Sequence, residues 1–382
     1  MEKDFDYIIA GAGCAGLSLL IHLQEAGLTK GKKILLVDKA PKQGNDRTWC
    51  FWETKPGLFE PVVAHTWPTV SFFSNTWKGG ELDIKPYQYK MIRSATFYAY
   101  CMEKIAGDPA ITVLYAPITA IYNAPAGMAS VIAGGEAFTA RYVFNSILPA
   151  QPEVSDKQHY LLQHFKGWII EAASPAFHPA KATLMDFRVG QEEGSTFVYV
   201  LPLTETKALV EYTLFTASLL EPEVYDEQLR NYIASFLKLN DYTVEEEEFG
   251  VIPMTNFRFP VSEGNIIYTG TAGGQTKASS GYTFRYIQEH SLRLVEALRD
   301  NVHPSAAGGM PARFRFYDSV LLHILRHRTL EGADIFTDLF KKGNAARVLR
   351  FLDNKTSFPE DLDIMRRLPT MPFLRAALKE LF

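Results

Sequence analysis

Three glycines and an acid are the first residues along the chain whose types and spacing could do chemistry. Gly11-Ala12-Gly13-Cys14-Ala15-Gly16 has the spacing G-x-G-x-x-G, and the chemistry is the grip of a dinucleotide pyrophosphate. Gly11 permits a tight turn, Gly13 lets the backbone approach phosphate, and Gly16 lets a helix pack close to a strand. Cys14 and Ala15 fall where that helix begins, and its unpaired N–H groups favour an anion. Asp38 stands about 20 residues beyond the loop, where a carboxylate meets a ribose hydroxyl. Lys39 follows it in the same candidate site.

These residues need a strand before the loop and a helix after it. Tyr7–Ala10 reads as a short apolar strand, and Leu17–Ala26 has helical apolar spacing with Gly27 placed to stop it. Lys33–Val37 is a second apolar strand of the kind buried in a parallel sheet. Together they make a βαβ unit ending at Asp38.

The loop alone does not separate NAD from FAD. The late segment does: Ile266–Thr269 reads as another buried strand, followed by Gly270, Thr271, Gly273, Gly274 and Gly281 and a helix over Tyr282–Arg299. Many flavoproteins complete their site with such a late return, and ordinary NAD dehydrogenases do not. FAD is therefore the expected cofactor, held by Gly11, Gly13, Cys14, Ala15, Gly16, Asp38, Lys39, Gly270, Thr271, Gly273 and Gly281.

Between the two ends the text is β-rich. Trp67–Tyr89 is aromatic and strand-like, Ser94–Ala106 helical, and Ile111–Tyr122, Ala129–Ile132 and Arg141–Ser146 read as three strands. Short strands recur from Lys166 to Phe215, a helix fits Pro222–Phe236, and the chain from Ala312 onward is mostly helical. The expected fold is α/β: a discontinuous FAD-binding Rossmann-type domain with an inserted β-rich substrate domain and a helical C-terminal region. The divisions expected are 1–66, 94–150 and 265–300 for FAD, 67–93 and 151–264 for substrate, and 301–382 for the helices.

Composition narrows the function classes. A net charge of -4 over 382 residues argues against a general nucleic-acid binder. Cys14, Cys50 and Cys101 are an odd set without metal-ligand spacing, which fits a reduced cytoplasmic protein, and no metal is expected. Cys14 reads as packing inside the loop. The acidic Met1–Asp6 opens no cleavable signal, and no apolar run approaches the ~18 residues of a spanning helix. The 26 Phe, 18 Tyr and 5 Trp supply π surface, for a core first and for an apolar or cationic ligand second.

Asp46-Arg47-Thr48-Trp49-Cys50-Phe51-Trp52, Leu209-Val210-Glu211-Tyr212-Thr213, Ile252-Pro253-Met254 and Gly281-Tyr282-Thr283-Phe284 together resemble the bacterial lycopene β-cyclases. The resemblance covers most of the chain. It implies a fold similar to the aromatic hydroxylase-type flavoproteins and the closing of β-ionone rings on lycopene, giving γ- and β-carotene. It also implies reduced FAD without net redox change, with NAD(P)H as the electron donor. Such chemistry needs an acid to protonate an alkene, a sheltered carbocation and a base. The resemblance makes Glu211 the catalytic glutamate, with Tyr212 at the motif's second acidic position, and Asp186 a secondary candidate. Glu53 is a weaker one. A strand sends Glu211 and Tyr212 to opposite faces, and burial would raise the Glu211 pKa towards that of a proton donor. Arg47, Thr48 and Trp49 join the cofactor set, and Trp49, Phe51 and Trp52 could face the cation or pack beside FAD.

Lycopene is dissolved in membrane, so a peripheral location on the inner face of the membrane is expected. The candidate surface is Phe336–Leu352, where Phe336, Leu339, Phe340, Val348, Leu349, Phe351 and Leu352 alternate with Lys341, Lys342, Arg347 and Arg350. Packing on the protein's own core is the commoner explanation of such a stripe. Two other functions stay open: an FAD monooxygenase or dehydrogenase acting on another isoprenoid or aromatic, and a non-catalytic carotenoid- or flavin-binding protein.

Overall fold

The computed structural model describes residues 3–148, 152, 154–155, 157–341 and 343–381. Five strands run parallel in one sheet, in the order Ile266–Tyr268, Glu136–Asn145, Asp4–Ala10, Ile34–Asp38 and Ile111–Tyr115. Alternate residues of each strand serve opposite faces. Ile9, Leu36 and Phe144 pack on the helices Cys14–Glu25, Ser94–Ala106 and Phe284–Arg299. Ile8, Leu35 and Val143 pack on the antiparallel strands Ile118–Ala124 and Met128–Ala133. Both faces are covered, which is why these strands read as continuous apolar runs.

One expected strand divides in two. The stretch Ile111–Tyr122 breaks at Ala116-Pro117: Tyr115 pairs with Asp38 in the parallel sheet, while Ile118 pairs with Ala133 in the hairpin. Pro117 has no N–H for a ladder and its ring fixes φ, so the chain changes direction there.

The second sheet has seven strands, in the order Tyr242–Thr255, Tyr160–Ala172, Lys207–Thr216, Ser195–Pro202, Lys181–Asp186, Thr69–Phe73 and Gly80–Leu82. Val198, Val210 and Tyr212 face the helix Pro222–Tyr232. Leu209, Phe197 and Phe215 face the other way, into the core shared with the C-terminal helices. A small third sheet, Thr48–Glu53, Gln88–Arg93 and Val63–Trp67, stands beside the other two. Within the expected substrate segment, Ser262–Glu263 pairs instead with Ile266–Tyr268 of the first sheet. The expected division at 150/151 falls outside the described residues, as do Met1 and Glu2.

The C-terminal region is five helices, Ala312–Arg326, Gly332–Lys341, Ala345–Leu352, Phe358–Met365 and Thr370–Leu381. Here the membrane stripe expected at Phe336–Leu352 is corrected. Phe336, Leu339, Phe340, Val348, Leu349 and Leu352 are all buried in the core beneath the seven-stranded sheet. Their periodicity marks packing of helix on sheet. Lys342 lies outside the described residues. No described helix is long and apolar enough to cross a membrane.

Candidate active site

A cavity of about 430 Å³ lies where the two large sheets meet, and the glycine loop forms one end of it. The loop follows the C-terminal end of Asp4–Ala10, and Ser146 and Gly270 follow the ends of neighbouring parallel strands. Ligands of open parallel sheets bind at this edge. Gly11 has φ +103°, and a Cβ there would meet Ser146 Oγ at 2.3 Å. At Gly16 a Cβ would meet the Gly11 carbonyl oxygen at 2.0 Å, the close helix–strand packing that the spacing demands.

Gly13 differs from both. A Cβ there meets nothing within 4 Å, because the position opens on the cavity. Gly13 is also the N-cap of Cys14–Glu25, no side chain caps that end, and its first turn carries no acid. The helix therefore offers free N–H groups and its positive end to an anion. Gly270, with φ +63°, comes within 2.9 Å of Ala15 at its would-be Cβ. The late glycine segment thus closes on the loop, and the two together could hold a dinucleotide's phosphates.

Cys14, Ala15, Arg47, Thr48, Trp49, Thr271 and Gly281 line the same cavity. The buried Cys14 thiol is pushed up to about 12, chiefly by desolvation, so it packs as a neutral group. Asp38 stands behind the loop: Ala12 N–H donates to its Oδ2 at 2.7 Å, and Lys42 lies 3.6 Å away. Its visible work is to hold the loop. Lys39 is exposed and does not line the cavity, and Gly273 lines a neighbouring cavity instead.

The other end of the cavity is built from the seven-stranded sheet, and there Glu211 lines it. In the ladder Gly167 pairs with Glu211 on one side and with Glu248 on the other, so the two glutamates share a face across a glycine. A Cβ on Gly167 would come within 3.0 Å of Glu248 Cγ, so only glycine leaves the space through which Glu248 reaches Glu211. Thr213 donates to Glu211 Oε1 at 2.8 Å, and Thr48 donates to Glu248 Oε2 at 2.6 Å. Glu248 Oε1 is buried and, among the described residues, has no hydrogen-bond partner. The Glu211 carboxyl is the group beside it.

Both glutamates are half-buried by surface area because they face the cavity, and protein surrounds them elsewhere. Desolvation first, and then the charge of Glu248, push the Glu211 carboxyl well above the usual carboxylate range. Glu248 is also raised by burial, while hydrogen bonds from Thr48 and Glu211 pull it back down. The two carboxyls therefore titrate as a pair that holds a proton more tightly than an isolated carboxyl would, with Glu211 the more strongly raised of the two.

Tyr89, Tyr199 and Tyr282 wall the cavity around this pair. Burial pushes all three phenols up, so they stay neutral and add no competing charge to the cavity. Of the three aromatics in the Thr-Trp-x-Phe stretch, only Trp49 lines this cavity. Phe51 stacks on Phe284 at 4.7 Å, and Trp52 meets Tyr282 edge-on at 4.5 Å, both buried.

Two acids expected nearby are placed elsewhere. Asp186 is fully buried outside the cavity, held by Arg188 Nε at 2.8 Å and by the Tyr232 hydroxyl at 2.7 Å. Glu53 accepts from Lys90 Nζ at 2.9 Å and pairs with Arg285 at 3.2 Å. Glu248 is the site residue that sequence reasoning missed. Its run, Glu245-Glu246-Glu247-Glu248, reads as a solvated charge patch. The available sign was the strand period, which puts Glu246, Glu248, Gly250 and Ile252 on one face.

Comparison with known proteins identifies the family and the fold. The family model described as lycopene cyclase protein matches residues 6–378. This chain belongs to the lycopene cyclase family. Among curated members, it is 27% identical over 265 residues to a lycopene beta-cyclase of Pantoea ananas. That match covers 67% of this chain and 64% of the relative, so just under two thirds of that enzyme's length is spanned. A lycopene beta-cyclase of Pseudescherichia vulneris is 23% identical, over 78% of this chain and 74% of its own. Among solved structures, p-nitrophenol 4-monooxygenase of Pseudomonas putida superposes with a TM-score of 0.59, 14% identity and 99% of each chain covered. A geranylgeranyl bacteriochlorophyll reductase-like protein of Thermoplasma acidophilum gives 0.58 at 12% identity, covering 99% of this chain and 96% of its own. This chain thus has the fold of FAD-dependent monooxygenases and reductase-like proteins.

Proposed function

We propose that this cyclase-family protein is a lycopene β-cyclase that binds FAD and closes β-ionone rings by acid–base chemistry. The observation that carries the reading is the pairing of Glu211, its carboxyl raised by burial, with Glu248 at one end of a cavity whose other end is the glycine loop. Glu211 donates its proton to the terminal alkene of lycopene. The cation that forms is attacked by a neighbouring double bond, closing the ring. Tyr89, Tyr199, Tyr282 and Trp49 shelter the charge with neutral π faces. A proton leaves the carbon next to the ring cation for the carboxylate pair, returning Glu211 to its acid form, and that proton exchanges with solvent before the next ring is closed. No electrons are gained or lost.

FAD fits the cradle of Gly13, Ala15, Arg47, Gly270 and Thr271, and in its reduced form it would supply negative charge beside the cation. NAD(P)H is the proposed source of the reducing electrons. Asp186 has no step here, because Arg188 and Tyr232 occupy its carboxylate.

A hydrocarbon substrate calls for contact with a membrane surface. The proposed face is the C-terminal end of the chain, where Phe358, Met371, Leu374, Leu378 and Leu381 are exposed. An apolar cavity of about 270 Å³, lined by Phe316, Phe336, Leu339, Phe373 and Leu374, lies beside it. Expression in lycopene-accumulating bacteria tests the activity. A change of pigment from lycopene to γ- or β-carotene supports the reading, and unchanged lycopene in cells holding folded, flavin-loaded protein rejects it.

A further inference from the structure

Away from the main cavity, three histidines from separate parts of the chain converge. His323 and His327 stand four residues apart at the end of the helix Ala312–Arg326, so they share one side of it. His159 immediately precedes the long strand Tyr160–Ala172. One ring nitrogen from each lies within 4.8 Å of the others. A fourth group joins them from the last helix: Glu380 Oε1 lies 2.7 Å from His159 Nε2 and 2.9 Å from His323 Nδ1. His159 and His323 are buried, Glu380 is half-buried, and His327 is exposed. His159 Nδ1 is buried with no partner among the described residues.

We propose that His159, His323, His327 and Glu380 bind one divalent transition-metal ion, Zn²⁺ by preference, and that the ion clasps the last helix to the body of the protein. Three imidazoles and a carboxylate are a ligand set that suits zinc. Tetrahedral zinc with bonds of about 2.0–2.2 Å holds its ligand atoms roughly 3.3–3.6 Å apart. The two Glu380 contacts are shorter than that spacing and the histidine nitrogens lie within 4.8 Å of one another, so an ion would draw the four side chains into a new arrangement. The exposed His327 gives the ion a way in.

The last helix has a reason to need such a tie. Ala376 is its one buried residue among those described, while Met371, Leu374, Leu378 and Leu381 are exposed. Ala376, with Phe373 and Ala377 partly buried beside it, seats the middle of the helix, and Glu380 ties its far end. Arg326 and Lys379 flank the cluster and repel a dication, so the imidazoles and Glu380 must carry the binding. None of the four ligands lines the cavity that holds Glu211, so the inference does not depend on the reaction proposed above. The cysteine-based reading of the sequence, which expected no metal, could not detect ligands separated by 164 and 57 positions.

The test uses the untagged full-length chain, stripped with a chelator, desalted and titrated with Zn²⁺ or Co²⁺. Elemental analysis should find one ion per chain, and bound Co²⁺ should give the strong visible absorption of a tetrahedral site. Zinc should slow proteolytic removal of the C-terminal helix at least tenfold. His327→Ala, at an exposed position, should still fold and bind at least tenfold more weakly, and Glu380→Gln should weaken binding in the same direction. Far less than one ion per chain, undiminished affinity in His327→Ala, or proteolysis indifferent to zinc would each overturn the proposal. So would a helix tie that follows pH alone in metal-free buffer, the mark of a hydrogen-bonded staple.

Discussion

Glu211 and Glu248 face each other across Gly167, three neighbouring strands bringing together residues that the chain holds far apart. A carboxyl beside a carboxylate in a low-dielectric cavity keeps a proton that either would lose in water. That pair turns a binding pocket into a candidate acid–base site.

Replacing Glu211 with Gln removes the proton and keeps the shape. Cyclisation should fall by roughly 10²–10⁴-fold, the usual worth of a positioned acid–base group. Flavin content should be unchanged, since the glycine loop lies at the other end of the cavity. Carotenoid chromatography paired with flavin absorbance reads both. Undiminished cyclisation would take Glu211 out of the reaction.

Glu248→Gln tests the pairing through pH. The Glu248 charge raises the Glu211 carboxyl, so losing that charge should lower it. Glu211 must be protonated to act, and activity falls as pH rises through its pKa. The alkaline limb of the kcat profile should therefore move to lower pH in the variant. A limb that stays put would make Glu248 a structural residue only.

At Gly167 the prediction is steric. Alanine would press on Glu248 Cγ and Leu209 Cδ1, each 3.0 Å from the new Cβ. Overpacking of this kind costs about 1–3 kcal/mol and would push the two carboxyls apart. Thermal unfolding should shift down modestly, while kcat should fall far more than so small a loss of stability explains. Equal, small effects on both would sink the idea that this gap serves the pair.

Gly13→Val and Gly16→Val should part company. At Gly13 the added Cβ meets open cavity, so the apoprotein should keep its stability and lose flavin. At Gly16 the Cβ meets the Gly11 carbonyl, so the fold itself should suffer. Differential scanning of apoprotein, with flavin titration, separates them. Normal flavin binding by Gly13→Val would remove the loop from the cofactor site.

Much of the scaffold was legible because its signals are local. The strand, glycine turn and helix at Tyr7–Ala26 announce themselves within twenty residues, and parallel strands buried on both faces read as apolar runs. Glu211 was legible only through its family motif, since a strand carboxylate by itself is unremarkable. Glu248 and Thr48 were not legible as partners. Their meeting depends on the pairing of Tyr160–Ala172 with two strands and on an absent side chain at Gly167. The stripe at Phe336–Leu352 misled for the opposite reason: an apolar helix face looks alike whether it meets lipid or the protein's own sheet.

The most direct test of the central claim is the mass of the product formed anaerobically from lycopene in D₂O, by purified protein holding reduced FAD. The account predicts cyclised product carrying a single deuterium for each ring closed, with the flavin still reduced and no reductant consumed. Cyclised product without deuterium, or flavin oxidised in step with product, would contradict it.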